Sequence, residues 1–146
     1  MQGRSKLDPS QKGDFDMHEP LSDSRREMSI EPFEGTVTVT FSDAIIASTK
    51  NAKLLREDGY KPVFYVPFED IYFEFLQKTN TSSHCPLKGT ASYWRVTAVG
   101  EAADDFMWAY ETPDPPAKEI AGHGAFDDKL AGIEAVTADG EPWRAQ

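Results

Sequence analysis

Thr36-Val37-Thr38-Val39-Thr40-Phe41 is the stretch on which the reading of the fold turns. Threonines alternate with Val37, Val39 and Phe41, and a period of two puts apolar groups on one face of an extended chain. This is the pattern of a half-buried strand. Ser42-Asp43 then reads as a tight turn into a second strand, Ala44 to Ser48, making a hairpin. Leu54 to Glu57 is a third strand, ended by the turn pair Asp58-Gly59, and Val63 to Val66 is a fourth, bracketed by Pro62 and Pro67. Ile71 to Leu76 also alternates, with Ile71, Phe73 and Phe75 on one face and Tyr72, Glu74 and Leu76 on the other. A polar loop over Thr79 to Ser83 follows, then strands over Ala91 to Val99 and Phe106 to Tyr110. About seven strands at these spacings indicate an all-β domain. One short helix is expected near the C-terminus. Asp114 would cap it, Pro115-Pro116 suits its first turn, and Gly122 and Gly124 end it.

The remaining sequence sets bounds on this domain. A chain of 146 residues suits one domain, and nine Phe, five Tyr and three Trp are too much aromatic surface to leave in water. Residues 1–29 are polar, mixed in charge and without period, and are expected to form a flexible tail. The folded domain is expected over 30–136, with a loose C-terminal tail over 137–146. Fifteen basic against twenty-five acidic side chains give a net charge of −10, which argues against binding phosphate backbones or anionic membranes. A small basic patch, Lys50, Lys53, Arg56 and Lys61, runs against that balance. Cys85 is the only cysteine, so an internal disulfide and a multi-cysteine zinc site are both excluded. Neither a signal peptide nor an apolar run of spanning length is visible, and the expected compartment is the cytoplasm.

The densest group of unusual residues is His84-Cys85-Pro86-Leu87-Lys88-Gly89, followed by Tyr93-Trp94. Two readings are open. Lys88 and protonated His84 would both favour the thiolate of Cys85, the form that reacts. Alternatively Cys85 is a packed small residue in a proline-stiffened turn beside an exposed lysine. The aromatics Tyr65, Tyr93, Trp94, Trp108 and Tyr110 lie on three expected strands, with Trp108 and Tyr110 sharing a face. Tyr93 opposes Trp94, and Tyr65 opposes Phe64, so one member of each pair can fill a core while the other lines a concave, ligand-orienting surface. An aromatic-rich core is the equal alternative. Lys88 and His123 are candidates for polar contacts, although His123 between two glycines also suits a helix end.

Several segments together resemble one known family. They are Ile30-Glu31-Pro32, Ala47-Ser48, Glu57-Asp58-Gly59-Tyr60-Lys61-Pro62-Val63, Tyr65-Val66-Pro67 with Glu69-Asp70, and His84-Cys85-Pro86 with Lys88-Gly89, Ala91 and Tyr93. Trp108-Ala109-Tyr110 and Ile120-Ala121-Gly122-His123 with Ala125-Phe126 continue the series. In this order they resemble the DUF427 family, small domains of undefined activity, over roughly residues 30–136. The Cys-Pro-x-Lys-Gly segment is the most specific part. Leu87 departs from the usual aromatic, and Asp127 from a common tyrosine. The resemblance implies a two-sheet Mss4-like, β-tent type of fold. It also brings a nucleotidyltransferase label. Two-metal transfer needs converging carboxylates, whereas Glu69-Asp70, Asp104-Asp105 and Asp127-Asp128 are adjacent pairs that diverge on a strand. No phosphate-cradling Gly-rich loop with Lys and Ser/Thr accompanies them.

The expectation is therefore a small-ligand-binding β module with an aromatic pocket near Cys85 to Gly89. Its ligand-facing residues would be Tyr65, Pro67, His84, Cys85, Lys88, Gly89, Tyr93, Trp108, Tyr110 and His123. The alternatives are an enzyme that uses Cys85 as a redox or nucleophilic group, a nucleotidyltransferase, and a protein-interaction domain. The expected partner is a small molecule, with no metal, no cofactor, no nucleic acid and no membrane. The expected assembly is a monomer or weak homodimer.

Overall fold

The computed structural model describes residues 5–7 and 27–144. Eleven strands occur among them: β1 (Ser5–Leu7), β2 (Met28–Pro32), β3 (Gly35–Phe41), β4 (Ala44–Thr49), β5 (Lys53–Glu57), β6 (Val63–Pro67), β7 (Leu76–Cys85), β8 (Gly89–Ala98), β9 (Glu101–Ala109), β10 (His123–Phe126) and β11 (Gly132–Thr137). They form two sheets, one of eight strands in the order β1-β7-β8-β9-β10-β6-β5-β2 and one of three in the order β11-β3-β4. Every ladder is antiparallel except β1 on β7, where Ser5, Lys6 and Leu7 pair with Ser82, Ser83 and His84. That strand falls in the stretch expected to be tail, most of which (8–26) lies outside the described residues. At the other end Val136 bridges Pro142, and Trp143 packs edge-on against Phe33 and Phe64. The mainly β class read from Thr36–Phe41 is the observed one. No helix is long and apolar enough to cross a membrane among the described residues.

Three local expectations are corrected. Phe73–Phe75 is a 3-10 turn, and Ile71 makes only an isolated bridge to Ala47, so the alternating stretch from Ile71 is not a strand. Two phenylalanines separated by one residue mimic a strand, yet here both are partly buried against the first core. The polar run Thr79 to Ser83 is not a loop but the middle of β7. Its threonines and serines sit along a strand near the sheet edge, where a polar face is tolerated. The expected helix is a 3-10 turn, Pro115–Ile120, kinked at Ala117, and the Asp114 side chain makes no capping bond.

The first core lies between the sheets. Val37 and Val39 of β3, Ile46 and Ala47 of β4 and Ala135 of β11 meet Val66, Trp94, Val96, Phe106, Met107 and Phe126 of the large sheet. Bulges place two neighbouring pairs on this face. The register slips between Val39 and Thr40, which turns both Ile46 and Ala47 inward. It slips again between Trp94 and Val96. On the opposing strand Asp105 takes φ 56°, and Phe106 joins Met107 in the core.

The second core lies on the other face of the large sheet, which curls over it. Leu55, Tyr65, Cys85, Ala91, Tyr93, Trp108 and Ala125 come from six strands, Tyr110 directly follows β9, and Ala117 and Ile120 of the 3-10 turn cover them. Tyr93 and Trp94 therefore bury on opposite faces, as do Tyr65 and Phe64, and Trp108 shares a face with Tyr110.

The β8–β9 hairpin turns through Val99 and Gly100, both at positive φ (52° and 78°), the requirement of the tight primed turn. A β-branched residue is strained there, and Val99 is 65% exposed with no packing to compensate. Val99→Asn is expected to raise stability by about 1 kcal/mol and Tm by roughly 4 °C. Calorimetry would contradict this assignment if Tm were unchanged or lower.

Candidate functional site

The turn between β7 and β8 is built by its sequence. Pro86 stiffens its start, the Lys88 N–H donates to the Cys85 carbonyl at 3.2 Å, and Gly89 closes it at φ 105°. A Cβ at Gly89 would lie 3.3 Å from the Asp114 nitrogen, so glycine answers both the backbone angle and the close approach. Asp114 in turn donates its N–H to the Lys88 carbonyl at 3.0 Å. This arrangement sends Lys88 inward. Its Nζ lies 2.8 Å from Glu57 Oε1, with side-chain exposures of 0% and 1%.

Lys88 precedes β8 and Glu57 ends β5, four strand spacings away, which in a flat sheet is about 19 Å. Only a strongly curled sheet brings them into contact. Lys88 Nζ also stands 5.9 Å from the Tyr110 ring centroid, within cation–π range. Within the second core, Trp108 Nε1–H donates to Tyr65 Oη at 3.2 Å, and the Ser83 and Tyr93 hydroxyls share a 2.8 Å hydrogen bond. Cys85 is fully buried in the same cluster, and Leu87, the departure from the family pattern, packs half-buried against it.

Of the expected site residues, Tyr65, Cys85, Lys88, Gly89, Tyr93, Trp108 and Tyr110 are brought together in this interior. His84 and Pro67 are not. His84 is exposed, with Nδ1 3.4 Å from Thr90 Oγ1, and Pro67 is half-buried in β6 opposite His123. His123 is half-buried in β10, its Nδ1 2.8 Å from the Ala121 carbonyl. Sequence reading missed Glu57 and Ser83. Glu57 stood in the family-like Glu57-Asp58-Gly59 stretch, but a strand-ending acid gives no hint of a partner 31 residues on.

On the solvent side of Glu57 is a depression of about 360 Å³, lined among others by Met28, Arg56, Asp58 and Tyr60. The carboxylate pairs do not converge. Asp70 accepts from Thr49, Asp104 binds Arg95, Asp127 caps Lys129 N–H, and Asp128 binds Lys61. Among the described residues, no three His, Cys, Asp or Glu side chains gather as a metal would need. In the basic patch Arg56 meets Glu31, Lys53 the Glu119 carbonyl and Lys61 Asp128.

A small sheet packed on one face of a large sheet, and a buried ion pair on the other face, define a mainly β domain with a polar second core. The chain belongs to the family described as domain of unknown function, DUF427, whose model matches residues 29–137, from within β2 to the end of β11. The family model bears a nucleotidyltransferase-style name, while its description assigns no activity. No curated protein matches the chain.

Two outcomes follow. Lys88→Met takes the lysine away from the buried Glu57 carboxyl and is expected to cost about 3–5 kcal/mol. Glu57→Leu combined with Lys88→Met should recover most of that loss, and urea unfolding of the full double-mutant cycle measures it. Losses that simply add would show that the two side chains do not interact. For His123, burial holds the pKa below the usual 6.5, against a raising contribution from the Ala121 carbonyl. The unfolded chain thus binds a proton more readily, and stability is lost as pH falls below 6.5. NMR titration should place its midpoint under 6.5, and His123→Gln should flatten the stability profile in that window.

Proposed function

We propose that this domain binds a small polar molecule, with Glu57 and Lys88 supplying the recognition charges and Tyr65, Tyr93, Trp108 and Tyr110 the walls. The observation that carries the reading is the full burial of the ion pair, with the Lys88 ammonium set against the Tyr110 ring of the aromatic second core. Desolvating two such ions costs several kcal/mol each, and apolar residues of equal volume would hold the fold at least as well. Charge kept in such a place is available for recognition rather than for stability. A flat molecule offering both hydrogen-bond donors and acceptors matches this chemistry, with aromatic faces for its body and the pair for its polar edge.

Thermal-shift scans against nucleobases, nucleotides, amino acids and small carboxylic acids test the reading. A ligand at a hundred times its Kd should add about 2.7 kcal/mol. That gain should vanish in the Glu57→Leu, Lys88→Met double variant, and in Tyr65→Phe it should be reduced. A scan with no stabilising compound, or a shift that survives both changes, would overturn it.

A further inference from the structure

The second core is covered on its open side by residues 111–122, the one stretch between β9 and β10, which joins no ladder. Only two of its side chains are buried, those of Ala117 and Ile120. Its remaining attachments are few. Glu111 takes hydrogen bonds from Lys78 and Ser92 at 2.7 and 3.0 Å. The Asp114 N–H bonds Lys88, and the Glu119 and Gly122 carbonyls accept from Lys53 Nζ and the Phe68 N–H. The stretch carries Pro113, Pro115 and Pro116 near one end and Gly122, at φ 74°, at the other. It also touches β2, part of the rim of the depression beside Glu57.

By contrast, the elements beneath it are tied by continuous ladders, β7 to β8 to β9. Segments with few buried apolar groups and no ladder open at lower free energy than the sheet they cover. We propose that residues 111–122 are a strap that lifts from the folded sheet and gives solvent and small molecules access to the Glu57–Lys88 core. Its purpose rests on the binding reading above, but the motion itself does not. When the strap lifts, the Asp114 N–H leaves the Lys88 carbonyl, Ala117 and Ile120 leave the cluster, and the core that holds Cys85 is uncovered.

Cys85, the only thiol, is a built-in reporter. Its reaction with a small thiol reagent is to be followed in the intact wild-type chain across urea concentrations below the unfolding transition. Amide exchange of Asp114, Ala117 and Trp94 is followed in parallel. The strap predicts that Cys85 labelling and exchange at Asp114 and Ala117 share a shallow urea dependence. Trp94 in β8 should follow the steep dependence of global unfolding. Labelling of Cys85 with the full global slope overturns the proposal, even if the strap amides exchange early, because such a strap uncovers nothing. Strap amides that exchange only with the global slope overturn it as well. A failed ligand scan would leave all these slopes unchanged, so the two ideas fail separately.

Discussion

A lysine and a glutamate at 2.8 Å, both sealed from water, constrain almost everything else in this domain. The pair joins the β7–β8 turn to the end of β5 across four strand spacings of one sheet. The sheet must therefore curl until its two arms meet. That curl makes a second interior on the face that the small sheet does not cover. It also sets the conformation at Gly89, whose positive φ and close approach to Asp114 let the turn deliver Lys88 inward.

The two interiors differ in character. Between the sheets, valine, isoleucine, alanine, phenylalanine and tryptophan side chains bury without charge, and this apolar area carries the stability. The second core mixes aromatic rings with hydroxyls, an indole N–H, a thiol and an ion pair. In a low-dielectric site such a network is stabilising only while its members are satisfied, and each lost partner is costly. The Trp108–Tyr65 and Ser83–Tyr93 hydrogen bonds meet that requirement for four of its members. A polar network of this kind is a poor way to gain stability and a good way to hold charge in a fixed place.

The sequence made some of this plain. Thr36 to Phe41 is half-buried on one face, so its alternation survives in the amino acids, and the opposite facing of Tyr93 and Trp94 follows from strand geometry alone. The family resemblance picked out Cys85, Tyr93 and Trp108, which share the second core, and Lys88, which is buried against the Tyr110 ring of that core. What could not be read were features decided by tertiary context. β10 is four residues with a glycine, too short to show a period, and β11 alternates only weakly. The Lys88 side chain suits solvent better than an interior when read from sequence, because its burial depends on Glu57, thirty-one residues away. The curl of the sheet leaves no local signature at all.

The state of the Lys88 ammonium is the most direct test of this account. NMR of the side-chain nitrogen at neutral pH should reveal slowly exchanging protons, with cross-relaxation to the Tyr110 ring and a chemical shift that changes in Glu57→Gln. Protons that exchange as fast as those of Lys50 or Lys118 on the surface, with no contact to Tyr110, would contradict it. The clasp that closes the sheet would then not exist in solution.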